Sequence, residues 1–233
     1  MSSSVKFYAG PLTEESAHNG ILLAKKQAEQ LARDAKTLLD SGSYATSTAL
    51  ATLSIEESSK VLTIRKILLV NDPKSLAKIW KNYRSHSEKS LLWRILGSEI
   101  VKITSNENSL ELNFDFSGSL QKFMGSDSNQ LHFIKQLSLY TDCTGTSPTW
   151  SLPANVVSID LAARLVKSAE TIVEVFGGEE TIETLGAFKE AFKGIDLDKA
   201  DSEQVSGCLN SFLDIVIRNS KLPAGYAIKM EYS

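Results

Sequence analysis

Apolar side chains return every three or four residues over most of the chain, and the returns are interrupted by short turn-forming clusters. Thr13 predicts an N-cap, with Glu14 and Glu15 well placed in the opening turn of a first helix. Its core stripe reads Leu22, Ala24, Ala28, Leu31, Ala35, Leu38 and Leu39, with Asp34 at the edge. Ser41-Gly42-Ser43 ends that helix and starts the next, which makes the two antiparallel neighbours. The second helix is expected over Tyr44–Leu69, with Leu50, Leu53, Val61, Ile64 and Leu68 as its apolar face. Ala45, Ala49 and Ala51 would let the pair approach closely. Glu57 falls where that face calls for another apolar residue.

Asp72 suits an N-cap and Pro73 the first position of a third helix, expected to run to about Lys102. Ile79, Tyr83, His86, Lys89 and Trp93 share roughly one face of it. The period then changes: Leu110, Leu112, Phe114 and Phe116 alternate with polar residues, the mark of a half-buried extended segment. Asp127 to Gln130 is a capping-box spacing before a short helix, Leu131–Leu139. A turn-rich loop from Tyr140 to Pro153 leads to a helix from about Asn155, with Leu161, Leu165, Ala169, Ile172 and Phe176 on one face. Gly177-Gly178 stops it. A shorter helix over Thr181–Phe192 follows, and then Asp201 to Gln204 caps a last helix carrying Val205, Cys208, Leu209, Phe212 and Val216. The segment after Leu222-Pro223 reads as irregular. The sum is an all-α bundle of about six or seven helices. It forms one domain, with a core over 13–104 and 127–219 and an extended insertion near 109–117.

Composition is that of an ordinary soluble protein, and the net charge of −3 recruits neither nucleic acid nor anionic membrane globally. Locally the balance differs. From Lys60 to Lys102, Lys60, Arg65, Lys66, Lys74, Lys78, Lys81, Arg84, Lys89, Arg94 and Lys102 face only Asp72, Glu88 and Glu99. Such a run is more often a solvated face than a binding surface. Cys143 and Cys208 are isolated and read as reduced thiols. The absence of a signal-like start and of a long uncharged stretch gives the expectation of a cytoplasmic protein without membrane attachment.

The feature that asks for chemistry is the set of ionisable groups on two neighbouring helices: Glu56, Glu57 and Lys60, then His86 and Lys89. A carboxylate facing a core is costly unless a cation or donors meet it. For Glu57, Lys60 and Lys89 a structural ionic knot is therefore the stronger reading, and His86 has a structural reading as a neutral, hydrogen-bonded ring. Asp34, Glu56, Glu57, His86 and Asp142 are also metal-ligand types. The paired Glu-x-x-His motifs of di-iron bundles are absent and Lys60 competes as counter-ion, so neither metal nor other cofactor is expected.

Asp34-Ala35, Ser54-Ile-Glu56-Glu57-Ser-Ser-Lys60, Arg84-Ser-His86-Ser-Glu-Lys89 and Leu139-Tyr140-Thr-Asp142 together resemble the AbiV family of abortive-infection proteins, within the HEPN superfamily of helical bundles. The similarity covers roughly Asn19 to Ala169. Its most specific part is Glu-Glu-x-x-Lys followed at hairpin distance by His-x-x-Lys. The resemblance implies phage defence through interference with translation. It also implies kinship with metal-independent ribonucleases, commonly dimeric, in which an Arg and a His from each subunit meet in one cleft. The chain departs from that signature, because His18, His86 and His132 all lack an Arg four to six intervening residues upstream. Arg84 lies about 200 degrees around the helix from His86. Ribonuclease activity thus does not follow from the motif.

For an RNA-cleaving enzyme, His86 is the candidate proton-transfer group, Lys89 or Lys60 would stabilise charge, and Glu57 would orient them. Tyr140 and Asp142, at a helix end, are further candidates, with Arg84, Lys81 and Arg94 as RNA contacts. The expected partners are a second copy of the chain, RNA or translation machinery, and a phage-encoded activator or target. The competing expectation is a non-catalytic interaction protein whose polar cluster is structural and which acts by binding a protein.

Overall fold

The structure, a computed structural model, describes residues 6–84, 130–144, 149–178, 180–197 and 199–219. In chain order the elements are α1 (Glu14–Asp40), α2 (Tyr44–Leu69), α3 (Pro73–Arg84), α4 (Gln130–Leu139), β1 (Asp142–Thr144), β2 (Thr149–Ser151), α5 (Pro153–Val156), α6 (Ile159–Phe176), α7 (Ile182–Ala191) and α8 (Ser202–Asn219). The fold is an all-helical bundle with one small hairpin. The extended segment near 109–117, the capping box at Asp127 and the end expected for the third helix lie outside the described residues.

Local chemistry explains the helix ends. The Thr13 hydroxyl accepts the Ser16 N–H while the Ser16 hydroxyl accepts the Thr13 N–H, a reciprocal cap. Gly42, at φ +81°, makes the turn between α1 and α2 in a conformation that side chains disfavour. Asp72 accepts the Ser75 N–H at 2.8 Å ahead of α3. Thr181 and Thr184 cap α7 reciprocally, as Asp201 and Gln204 cap α8.

The antiparallel α1–α2 pair is the centre of the bundle, and α2 also packs against α3, α4, α5, α6 and α7. Enclosure on several sides explains its composition. Its buried residues are mostly small: Ser47, Thr48, Ala49, Ala51, Thr52, Ser54, Ser58 and Ser59, beside Ile55, Val61, Ile64, Ile67 and Leu68. Small side chains let neighbouring backbones come near, and their hydroxyls must then find acceptors inside the protein. Ser47 donates to the Ala35 carbonyl at 2.7 Å and Ser54 to the Ala28 carbonyl at 2.8 Å, stitching α2 to α1. Thr52 and Ser59 donate to carbonyls one turn back in α2 itself, at Thr48 and Ile55.

Three expectations change. Ala24, Ala28 and Ala35 of the expected α1 stripe are buried, joined by Ala17, Ile21 and Ala32, whereas Leu22 is 44% exposed. Leu22 gives way to Ile21 because α1 meets α2 through alanines. The turn-rich loop contains an antiparallel ladder that pairs Asp142 with Ser151, Cys143 with Trp150 and Thr144 with Thr149. The helix expected from Asn155 is two: the four-residue α5, then α6, capped by the Ser158 hydroxyl on the Leu161 N–H. Among the described residues no helix is long and apolar enough to cross a membrane.

If the close α1–α2 approach holds the bundle together, Ala28→Leu, at a position 1% exposed under Ser54, should overpack it. The expected loss is about 1–3 kcal/mol. Urea denaturation measures it, and an unchanged midpoint would refute the close packing.

Candidate functional site

On α2 the two adjacent carboxylates have separate fates. Glu56 is the buried one, 2% exposed, and takes Lys135 of α4 at 2.5 Å. Both groups keep further polar contacts. Glu57 is half-buried, and both its oxygens meet the Lys60 ammonium, at 2.7 Å and 2.6 Å. The expectation that Glu57 fills the core slot is thereby corrected. A helix buried on several sides has no single apolar stripe from which to read the slot, and Glu56 points at α4. Lys135 was missed, although a signal existed: it shares the face of Leu131, Ile134 and Ser138, all buried.

Lys60 also lies 5.4 Å from the Tyr83 ring centre, so Glu57, Lys60 and Tyr83 form one group where α2 meets α3. Tyr83 in turn meets Trp80 edge-on at 5.3 Å. His86, Lys89 and Arg94 lie outside the described residues, which stop at Arg84, directly after Tyr83. Tyr140 is 57% exposed at the end of α4, and Asp142 is exposed and accepts the Cys143 N–H. None of the contacts described for Tyr140 or Asp142 joins them to Glu57 or Lys60. Asp34 is half-buried and accepts a hydrogen bond from Gln30. Among the described residues no group of three His, Cys, Asp or Glu side chains comes together to hold a metal ion.

The outer face of α3 has a different character. Lys74, Lys78 and Lys81 are exposed, and their spacing of four and three puts them on one side of the helix. Arg84, one turn beyond Lys81, donates to the Trp80 and Tyr8 carbonyls. Its guanidinium lies 5.1 Å from the Phe7 ring centre and 5.2 Å from that of Trp80. Trp80 donates its indole N–H to the Gly10 carbonyl at 2.8 Å, which holds the segment before α1 against α3. Phe7 and Tyr8 remain 73% and 60% exposed.

A second ionic group, with no periodic signal in the sequence, sits where the turn after α6 returns to α1 and α2. Glu180 takes Arg65 of α2 at 2.5 Å and lies 3.9 Å from Lys25 of α1. His18 meets the Glu180 backbone carbonyl at 2.9 Å. Burial lowers the pKa of Lys25 from the ordinary lysine range, opposed by the nearby Glu180 carboxylate. On the rim, the hydrogen bond from Lys189 of α7 holds the Glu14 carboxyl below its usual range.

Residues 16–174 match the family model HEPN_AbiV, described as AbiV. No curated protein and no solved structure matches the chain.

Two tests follow from the ion pairs. Lys135→Met alone leaves a buried carboxylate without its cation and should cost about 3–5 kcal/mol. Adding Glu56→Leu should recover part of that in a double-mutant cycle, whereas additive losses would deny the pairing. Glu14 has a folded pKa below its unfolded one, so its stabilisation is full above the ordinary carboxylate range. It is lost as pH falls through the lowered value. Lys189→Met should flatten that acid-side slope in pH-dependent melting.

Proposed function

The chain belongs to the AbiV family of HEPN-type proteins, associated with abortive-infection defence against phage, and from this we propose that it arrests phage multiplication by binding RNA of the translation machinery. The observation that carries the reading is the exposed lysine face of α3, Lys74, Lys78 and Lys81, continued by Arg84 between the Phe7 and Trp80 rings. Phosphate contacts supply affinity without sequence preference, and aromatic faces accept any base. Those two properties suit an effector that must stop translation generally.

Binding is favoured over cleavage by the state of the carboxylates. Glu57 has both oxygens on Lys60, and Glu56 is sealed against Lys135. Each is committed to a neighbouring cation, as a structural ion pair is. Glu57 and Lys60 then serve to seat Tyr83 where α3 meets α2. His86 retains the role of proton-transfer group only if cleavage occurs.

The test uses pure protein, with total RNA or tRNA and a cell-free translation reaction. Wild type should bind RNA and stop translation. Changing Lys74, Lys78 and Lys81 together to Ala should weaken binding and lower the slope of log K against log salt by about 2 for single strands. An unchanged slope would sink the proposed surface. Cleavage that disappears in His86→Ala would replace binding by catalysis, and translation arrest with no RNA binding would move the target to a protein.

A further inference from the structure

Among the described residues, Arg65 and Lys25 share one carboxylate as their ion-pair partner. Two cations from different helices converge on one carboxylate oxygen, Glu180 Oε2, at 2.5 Å and 3.9 Å. The nearer contact uses Arg65 Nη2, and the Phe188 ring lies 5.8 Å from the guanidinium, while Arg65 Nε is buried without a hydrogen-bond partner among the described residues. An orphan buried N–H beside a monodentate carboxylate is unusual, because a guanidinium presents its donors as a fork that a two-oxygen acceptor fills. Lys25 gives one proton to the Gly178 carbonyl at 2.6 Å. The other charged group near it is Glu29 of α1, which also lies 3.9 Å from Arg33 at the surface. Burial is the main cause of the lowered pKa of Lys25, with the Glu180 and Glu29 carboxylates opposing it and Arg65 adding to it.

The carboxylate that occupies this place comes from a connection. Glu180 follows Gly177 and Gly178 and precedes the Thr181 cap of α7, so it rides on the segment joining α6 to the α7–α8 hairpin. The residues that match the family end at 174, before this segment. Arg65 keeps 29% of its side chain exposed, which leaves its guanidinium within reach of solvent.

We propose that Arg65 and Lys25 form a seat for a phosphate dianion, free or at the end of a nucleotide, and that Glu180 is its internal occupant in the resting chain. A dianion matches two cations where one carboxylate does not, and its several oxygens reach the Arg65 fork and Lys25 together. When it enters, Glu180 leaves and α7 loses its strongest ionic tie to α2. The contacts of His18 with the Glu180 carbonyl, Lys189 with Glu14, and Leu185 with the core remain. The hairpin therefore loosens without detaching.

Full-length protein is titrated with inorganic phosphate, and separately with adenosine monophosphate, against chloride at equal ionic strength. Glu180→Gln should bind phosphate about tenfold more tightly than wild type, since no internal carboxylate competes. The gain should vanish in Glu180→Gln combined with Arg65→Met. Tighter binding of the nucleotide assigns the seat to nucleotides, and equal or weaker binding assigns it to free phosphate. If Glu180→Gln binds phosphate no better than wild type, the seat does not exist. Should that variant not fold, amide exchange of the wild type decides. Phosphate should raise exchange over Ile182–Ala191 and not over α2, and unchanged exchange there would overturn the proposal.

Discussion

Enclosure of α2 is the constraint on which the remaining architecture depends. A helix with neighbours on several sides has no solvent face to which its polar side chains can turn. Each must be small, return its proton to a backbone carbonyl, or meet an opposite charge. All three answers occur along one helix: alanines at 49 and 51, hydroxyls at Ser47, Thr52, Ser54 and Ser59, and Glu56 against Lys135. The hydroxyl solution also sets the spacing of the bundle. A serine reaches the carbonyl of a facing helix only when the two backbones are close, and the alanines of α1 at 28 and 35 provide that closeness.

The same constraint divides the chain's charges into two populations. Glu56, Lys135 and Glu180 are buried and answered by cations or carboxylates from other elements. Replacing such a pair by apolar residues of similar size is often neutral, so their value lies in fixing which helix meets which. The lysines of α3 belong to the other population. They are exposed on a short helix that presents Leu76, Ile79 and Trp80 to the core and its cations outward.

How far the sequence could be read follows from this geometry. Caps were legible from side-chain chemistry: Thr13, Asp72 and Asp201 cap as expected, Thr181 is the cap where the expected helix was begun, and even enclosed α2 spans Tyr44–Leu69. On α2 periodicity loses its meaning, and the core slot was placed at Glu57 instead of Glu56. On α1 the stripe slipped from Ile21 to Leu22, because an interface made of alanines gives larger residues beside it false weight. The Asp142–Ser151 ladder was hidden by its length, since three-residue strands carry too little alternation to detect. Of the candidate site, Glu57 and Lys60 do meet, with Tyr83 as an added partner, whereas Tyr140 and Asp142 stand at the surface. Glu180 had no signal at all. A connection residue acquires its role only when three elements converge on it.

The residues that match the family model close before Gly177, yet Leu185 of α7 completes a cluster with Ala17, Ile21, Val61, Ile64 and Leu68. A hairpin that only lay on the surface would not bury a leucine completely among residues of α1 and α2. It is therefore part of the folded core on its apolar side. On its ionic side it is held by Glu180 with Arg65 and Lys25, and by Glu14 with Lys189. Apolar contact and charge therefore act at separate points of the attachment, and under the proposed exchange of Glu180 for an anion the ionic part is lost while Leu185 stays in place.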